Sequence, residues 1–385
     1  MKRFGLIICL ITTVCFALSG CDTFTAKDNT LPPAKLTQIT PKIKVAQLWS
    51  TNVGDGANRY YLRMAPTYAN GLIYTASYNG RICAVNANTG NIVWQTNANA
   101  HLTSGVSVNA GRLFAATEQG QVLAISLASG QRLWSTQVSS TILAAPKAYN
   151  GIVLAKSIDG SLTALSERNG HLIWRFSQTV PDLILHASSQ PQFANGLVVA
   201  GFANGVVAAI NSWSGKVVWL QKVAQPIGLT DIENMVDIDV NPIISQGIVY
   251  VATYQGYVAA LDLKTGHTIW RHKISAYAGI TSDYNNLYLT DAKSYVWAFS
   301  KDSGASLWRQ TVLQGRNLTG PAMLGRYLVI ADGYGYLHWL SRNDGSIVAR
   351  NGLRGMGVLT PPLVIGNTVV VYTQHGYLIA FRKMV

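Results

Sequence analysis

Gly256-Tyr-Val-Ala-Ala-Leu-Asp-Leu-Lys-Thr-Gly266-His-Thr-Ile-Trp270 is a stretch that the chain rewrites along nearly its whole length. Two apolar-rich runs flank a polar Lys-Thr-Gly turn, and each alternates as a half-buried strand does, which predicts a β-hairpin closed by a glycine turn. Similar text runs from Gly80 to Trp94, Gly120 to Trp134, Gly160 to Trp174, Gly205 to Trp219 and Ser294 to Trp308, with a degenerate copy from Gly335 to Ala349.

The tryptophans at 49, 94, 134, 174, 219, 270 and 308 are spaced by 45, 40, 40, 45, 51 and 38 residues, the length of one four-stranded propeller blade. Around Gly256 all four strands are visible: Asn241 to Ser245, Ile248 to Tyr254, Tyr257 to Asp262 and His267 to Trp270, separated by Gln-Gly and Lys-Thr-Gly turns. The last copy, Gly376-Tyr-Leu-Ile-Ala-Phe381, has no outer strand of its own, whereas Val45-Ala-Gln-Leu-Trp49 is an outer strand with no preceding hairpin. Together they predict an all-β, eight-bladed propeller of four-stranded antiparallel blades over residues 45–385, closed by the N-terminal strand joining the last blade. Closure removes an exposed sheet edge.

Ahead of that body, Lys2 and Arg3 precede an apolar run from Phe4 to Leu18 that ends in Leu18-Ser-Gly-Cys21. This is the layout of a secretory signal peptide over residues 1–20. Leu-Ser-Gly-Cys resembles the bacterial lipobox, which implies acylation of Cys21 and attachment to a membrane through lipid rather than through a helix. Residues 21–44 are polar, carry Pro32, Pro33 and Pro41, and are expected to form a flexible tether. Random-coil scaling gives it a span of about 25 Å.

Cys9 and Cys15 lie in the signal segment and Cys21 is the lipid site, so Cys83 is the one thiol of the body and reads as a small buried residue. The chain carries 30 Lys and Arg against 17 Asp and Glu. That excess suits acidic partners or anionic surfaces, but it is scattered, and with an export signal it argues against nucleic acid.

Each repeat places a small residue, then a glycine six positions on, then a tryptophan four further: Ala84, Gly90, Trp94; Ala124, Gly130, Trp134; Ala260, Gly266, Trp270. An indole can fill the flat space that the small residue and the glycine leave, so these tryptophans read as packing between blades. In the Gly335 copy Trp339 takes the small position and Ala349 the large one. Either this is one compensating exchange of volume, or Trp339 is exposed for function.

This eleven-residue pattern resembles the tryptophan-docking repeat of quinoprotein propellers, which include pyrroloquinoline-quinone dehydrogenases and a non-enzymatic branch. The dehydrogenases hold their quinone with a vicinal cysteine pair and a calcium ion. The chain has no Cys-Cys and no calcium-loop spacing. Its seven histidines are dispersed over different blades, and no Gly-x-Ser-x-Gly elbow precedes a helix. The expectation is therefore no catalytic residue, no metal site and no cofactor.

Two connections depart from the period. Trp174 to Pro191 and Trp219 to Pro242 are longer than Trp134 to Pro146 or Trp308 to Pro321, and both emerge on the same face as neighbours. Long adjacent loops on a rigid scaffold are where binding concentrates. Pro181-Asp-Leu-Ile-Leu-His186 sets leucines beside charge, and Val236-Asp-Ile-Asp-Val240 places two carboxylates on one side of an extended segment. Two readings stand: a protein contact surface, or leucines folded back on their own blade with aspartates capping turns.

A lipobox, a short tether, an eightfold quinoprotein-type repeat without quinone ligands, and the segments Pro181 to His186 and Val236 to Pro242 together resemble the BamB family, lipoprotein accessories of the bacterial machine that folds outer-membrane β-barrels. The resemblance implies a non-enzymatic scaffold of the BAM complex, docked on the periplasmic POTRA domains of BamA and close to unfolded barrel precursors. It places the contact on Leu183, Leu185, Asp237 and Asp239, with His186 where the family carries arginine. It implies the periplasmic face of the outer membrane, although Asp22 after the lipidated cysteine is the residue that favours inner-membrane retention in enteric bacteria. The rival from another class is a periplasmic quinone-dependent dehydrogenase-like protein, and a third reading is a glycan-binding propeller.

Overall fold

Thirty-two strands form eight four-stranded antiparallel sheets in the computed structural model, which describes residues 32–185, 188–226 and 228–384. Blades 1 to 7 cover residues 67–97, 107–137, 147–177, 192–222, 243–273, 279–310 and 322–352, each a meander whose strand order follows the chain. Blade 8 takes three strands from residues 363–383 and its outermost strand, Val45–Asn52, from the other end. That strand runs antiparallel to Tyr377–Lys383, with Val45 opposite Lys383 and Asn52 opposite Tyr377. The expected eight-bladed, closed ring is what the chain builds.

The turn chemistry explains why the hairpins recur. In blade 5, Asp262 Oδ1 accepts from the amides of Lys264 and Thr265 at 3.1 and 2.7 Å, which leaves Gly266 to adopt a left-handed φ of 77°. The same glycine receives the Trp219 indole of blade 4, and a Cβ there would lie 2.7 Å from the ring. Every tryptophan of the series also donates its Nε1 to a carbonyl of the next blade: Trp49 to Ala87, Trp94 to Leu127, Trp134 to Glu167, Trp174 to Ser212, Trp219 to Leu263, Trp270 to Lys301 and Trp308 to Arg342, at 2.8–3.2 Å. The indoles therefore seal one blade to the next, and the buried polar end is satisfied.

Blade 7 shows why its repeat is inverted. Blade 8 completes its outer edge with the N-terminal strand and so has no turn glycine for a tryptophan to cover. Trp339 instead sits fully buried opposite Ala349, with Nε1 donating to Asn351 Oδ1 at 2.9 Å. The exchange is one of volume, and exposure of Trp339 is excluded. Cys83 is buried, its thiol directed at the Val53 carbonyl, and burial pushes its pKa up.

The expected tether over residues 21–44 is not free throughout. Residues 34–44 lie along blade 7 as a strap: the Ala34 amide donates to Gln314 O, the Lys42 amide to Val348 O, and Leu36 packs beside Leu313 and Leu318. Arg316 Nη1 and Arg350 Nη1 grip the carbonyls of Ala34 and Thr37 at 3.1 and 2.8 Å. Behind them, Asp332 Oδ2 accepts from Arg316 Nε at 2.7 Å and pairs with His338 Nε2 at 3.0 Å, while Arg350 Nε donates to His338 Nδ1 at 3.3 Å. Prolines and polar residues hid this segment from a strand-pattern reading, because its partners, the carbonyls of Gln314 and Val348 and the side chains of Arg316 and Arg350, lie far along the chain. Cys21, Asp22 and the signal segment lie outside the described residues.

Candidate functional site: two interlocked connections

The connection leading into blade 5 alternates. Val236, Ile238 and Val240 point inward and are buried, Ile238 packing on the Cβ-less Gly201, so Asp237, Asp239 and Asn241 fall on the opposite side. That side meets the connection leading into blade 4. Asp237 Oδ1 accepts from the Leu185 amide at 2.9 Å, Asp239 Oδ1 from the Ser188 amide at 2.6 Å and the Ser188 hydroxyl at 3.2 Å, and Asn241 Oδ1 from the Gln190 amide at 2.6 Å. Three side chains at a spacing of two thus serve as acceptors for the Leu185, Ser188 and Gln190 amides, which belong to no strand.

Asp237 and Asp239 are consequently buried, at 0% and 1% exposure, and do not offer their carboxylates to a partner. Of the two sequence readings of this segment, their burial fits the one in which the aspartates cap neighbouring backbone; they tie one loop to the other. Their second oxygens have no hydrogen-bond partner among the described residues. Burial pushes Asp237 up to about 7, against the pull of the Leu185 amide. The nearby countercharge is Lys156 of blade 3, itself buried, which donates to Ser189 Oγ and to the Gly201 carbonyl. Burial lowers its pKa to about 8, and Asp239 and Asp237 oppose that shift.

The apolar side of the site is outward. Leu183 is 39% exposed, and Leu185 is half-buried. Leu229 and Ile232, which the sequence reading missed, are 100% and 62% exposed on the second connection. Their turn is held from within: Glu233 Oε2 accepts from the amides of Leu229 and Thr230 at 2.9 and 3.2 Å, Thr230 Oγ1 accepts from the Glu233 amide, and Gln255 Nε2 donates to the Ile232 carbonyl. The Thr230-x-x-Glu233 spacing of a capping box was the available signal that this tip is ordered. His186 lies outside the described residues. Among the described residues no grouping of three or more His, Cys, Asp or Glu could hold a metal ion.

The two braced loops thus display large aliphatic side chains to solvent. By its fold the molecule is a propeller of the quinoprotein type. Its fold is that of BamB from Moraxella catarrhalis, with a TM-score of 0.81 at 24% identity, covering 88% of this chain and 100% of that one. Quinohemoprotein alcohol dehydrogenase from Comamonas testosteroni shares the fold more distantly, with a TM-score of 0.70 at 13% identity over 88% of this chain and 76% of that one. The family model described as outer membrane protein assembly factor BamB matches residues 46–104, 78–310 and 292–383. The relative of that name from Legionella pneumophila (strain Paris) is 45% identical over 328 residues, 85% of either chain; that from Escherichia coli (strain K12) is 31% identical over 328 residues, 83% of this chain and 84% of that one. The chain belongs to the BamB family of outer-membrane protein assembly factors.

Proposed function

We propose that the protein is a non-enzymatic scaffold of the BAM complex, held by lipid at Cys21 to the periplasmic face of the outer membrane and docked through its two long connections on the POTRA domains of BamA. Leu183, Leu229 and Ile232 make the contact, Leu185 backs it, and Asp237 and Asp239 act from behind by fixing the loop pair. His186, which follows Leu185 in the sequence, is assigned to the same contact. The observation that carries this reading is the outward display of three large aliphatic side chains on loops in which the amides of Leu185, Ser188, Gln190, Leu229 and Thr230 are bonded from within. Such a surface is preorganised, so binding loses little loop entropy. By holding BamA in one orientation, the rigid ring assists insertion of barrel precursors that pass close to it.

The test is co-purification with BamA from detergent-solubilised envelopes, using the full lipoprotein. Leu183→Asp and Leu229→Asp should each reduce recovery of BamA about tenfold or more, which corresponds to 1.4 kcal/mol or more, while far-ultraviolet dichroism and thermal midpoint stay at wild-type values. Undiminished recovery with both variants rejects the loop surface. Fractionation of the envelope checks localisation, and Asp22→Ser should leave it unchanged if Cys21 is sorted to the outer membrane.

A further inference from the structure

Arg63 stands on the connection between the closing strand, residues 45–52, and blade 1, far along the chain from both long loops. Its guanidinium nevertheless reaches them. Nη1 donates to Ser188 Oγ at 3.3 Å and to the Asp239 carbonyl at 3.2 Å, and Nη2 donates to the Tyr277 carbonyl at 2.7 Å. The group also lies 5.8 Å from the centre of the Tyr277 ring. These partners belong to the connections leading into blades 4, 5 and 6, and in a ring of eight, blades 1 and 5 face each other across the axis. Arg63 therefore crosses the mouth of the central channel, where Arg63, Ser188 and Asp239 all line one cavity of about 290 Å³.

Ser188 is the shared node. Its amide and hydroxyl both engage Asp239 Oδ1, and its hydroxyl oxygen also accepts from Arg63. Asp239 is gripped at two points, by Ser188 on its carboxylate and by Arg63 on its backbone. A planar fork with several donors can hold three acceptors from different loops in one geometry, which a lysine ammonium on a flexible stem does less well. Half-burial of the Arg63 side chain removes competing water from these bonds.

We infer that Arg63 is the positioning residue of the partner-binding surface: a pin across the channel that locks the connection of Leu183 and Leu185 to the connection of Asp239, so that the free protein already holds the loop pair as it is when bound. This rests on the reading of the two connections as the docking surface. Arg63 touches no partner itself; it acts through Ser188 and Asp239. It also couples that surface to the closing strand, since the connection carrying Arg63 begins where residues 45–52 end.

The experiment uses the full lipoprotein in detergent and has two arms. In the first, hydrogen exchange of the Leu185, Ser188 and Gln190 amides is compared between wild type and Arg63→Gln, with thermal unfolding as the folding control. Exchange at these three amides should rise about tenfold or more, while amides of the blade strands and the thermal midpoint hold. Unchanged protection overturns the pin. In the second, binding to the BamA periplasmic domains is measured for Arg63→Gln, Ser188→Ala, the double variant and Arg63→Lys. Arg63→Gln should weaken binding about tenfold, add little in the Ser188→Ala background, and be restored in part by Arg63→Lys. Strictly additive losses overturn the inference. If wild type itself does not bind, the docking proposal fails, and the exchange arm still decides whether Arg63 pins the loops.

Discussion

The Asp239 carboxylate lies 2.6 Å from the Ser188 amide nitrogen, so an acidic side chain whose sequence setting suggests an outside partner spends its charge inside the protein. Two carboxylates, one lysine and a row of loop amides make a buried polar seam between connections that the sheet hydrogen bonding does not reach. Disturbing the seam should alter the loops before it alters the ring.

Asp237 offers the cleanest separation of charge from hydrogen bonding. Asp237→Asn keeps an oxygen for the Leu185 amide, now 2.9 Å from the carboxylate, and should preserve both loop order and BamA binding. Asp237→Ala leaves that amide unpaired at about 1–3 kcal/mol of local stability and should release the first loop. Comparing BamA recovery for the two variants checks this; equal loss in both would mean that the charge itself matters.

The same group should bend the pH profile. Asp237 titrates near 7 in the folded protein, above its unfolded value, so the folded form binds the extra proton between about 4 and 7 and stability falls as pH rises through that window. Lys156, lowered to about 8, sheds its proton early, so stability rises again from about 8 towards its unfolded value near 10.4. Thermal midpoints should trace a shallow trough between pH 7 and 8. Asp237→Asn should remove its acidic flank. Lys156→Met, which strands two buried carboxylates, should cost about 3–5 kcal/mol.

Blade sealing gives a prediction independent of any partner. Trp270→Ala removes an indole that covers Gly304 and donates to Lys301 O at 2.8 Å, and should lower stability by about 3–5 kcal/mol in chemical denaturation. Gly266→Ala should also destabilise, because a methyl would meet the Trp219 ring at 2.7 Å on a backbone with φ of 77°. Transplanting the tryptophan of blade 7, Trp339→Ala with Ala349→Trp, should not rescue the single Trp339→Ala loss, since blade 8 has no turn glycine to receive it.

The strap should open in acid. Burial holds the His338 pKa below its ordinary value, and the neutral ring accepts from Arg350 while pairing with Asp332, with Arg316 on the far side. The folded form resists protonation, so the strap's contribution to stability is present above the ordinary histidine pKa and is lost as pH falls below it. Exchange at the Ala34 and Lys42 amides should rise on acidification. Arg350→Gln should raise it at neutral pH, by the loss of about 1 kcal/mol in the bond to the Thr37 carbonyl.

Period and turn chemistry made the architecture legible, because each blade repeats the same local solution: Asp262 and Gly266 announce their turn, and Trp270 announces its dock. The loops were legible only as extra length. Burial decides what a polar side chain does, and nothing in Val236-Asp-Ile-Asp-Val240 says which face of that segment meets protein. Arg63 and Lys156 carried no signal: the partners of Arg63 lie across the ring, and those of Lys156 come from the neighbouring blade and the connection leading into it. Leu229 and Ile232 were masked by the polar residues around them, which form the turn that pushes them outward.

Residues 45–52 are the first part of the propeller to be synthesised, and their sheet partner, residues 377–383, is the last. The outermost strand of blade 8 has no sheet partner until the last strand of the chain has been made. Closure is then a contact between segments more than three hundred residues apart, the kind that is slow to form. A chain truncated short of its final strand would leave residues 45–52 without their sheet partner and the ring with an open edge.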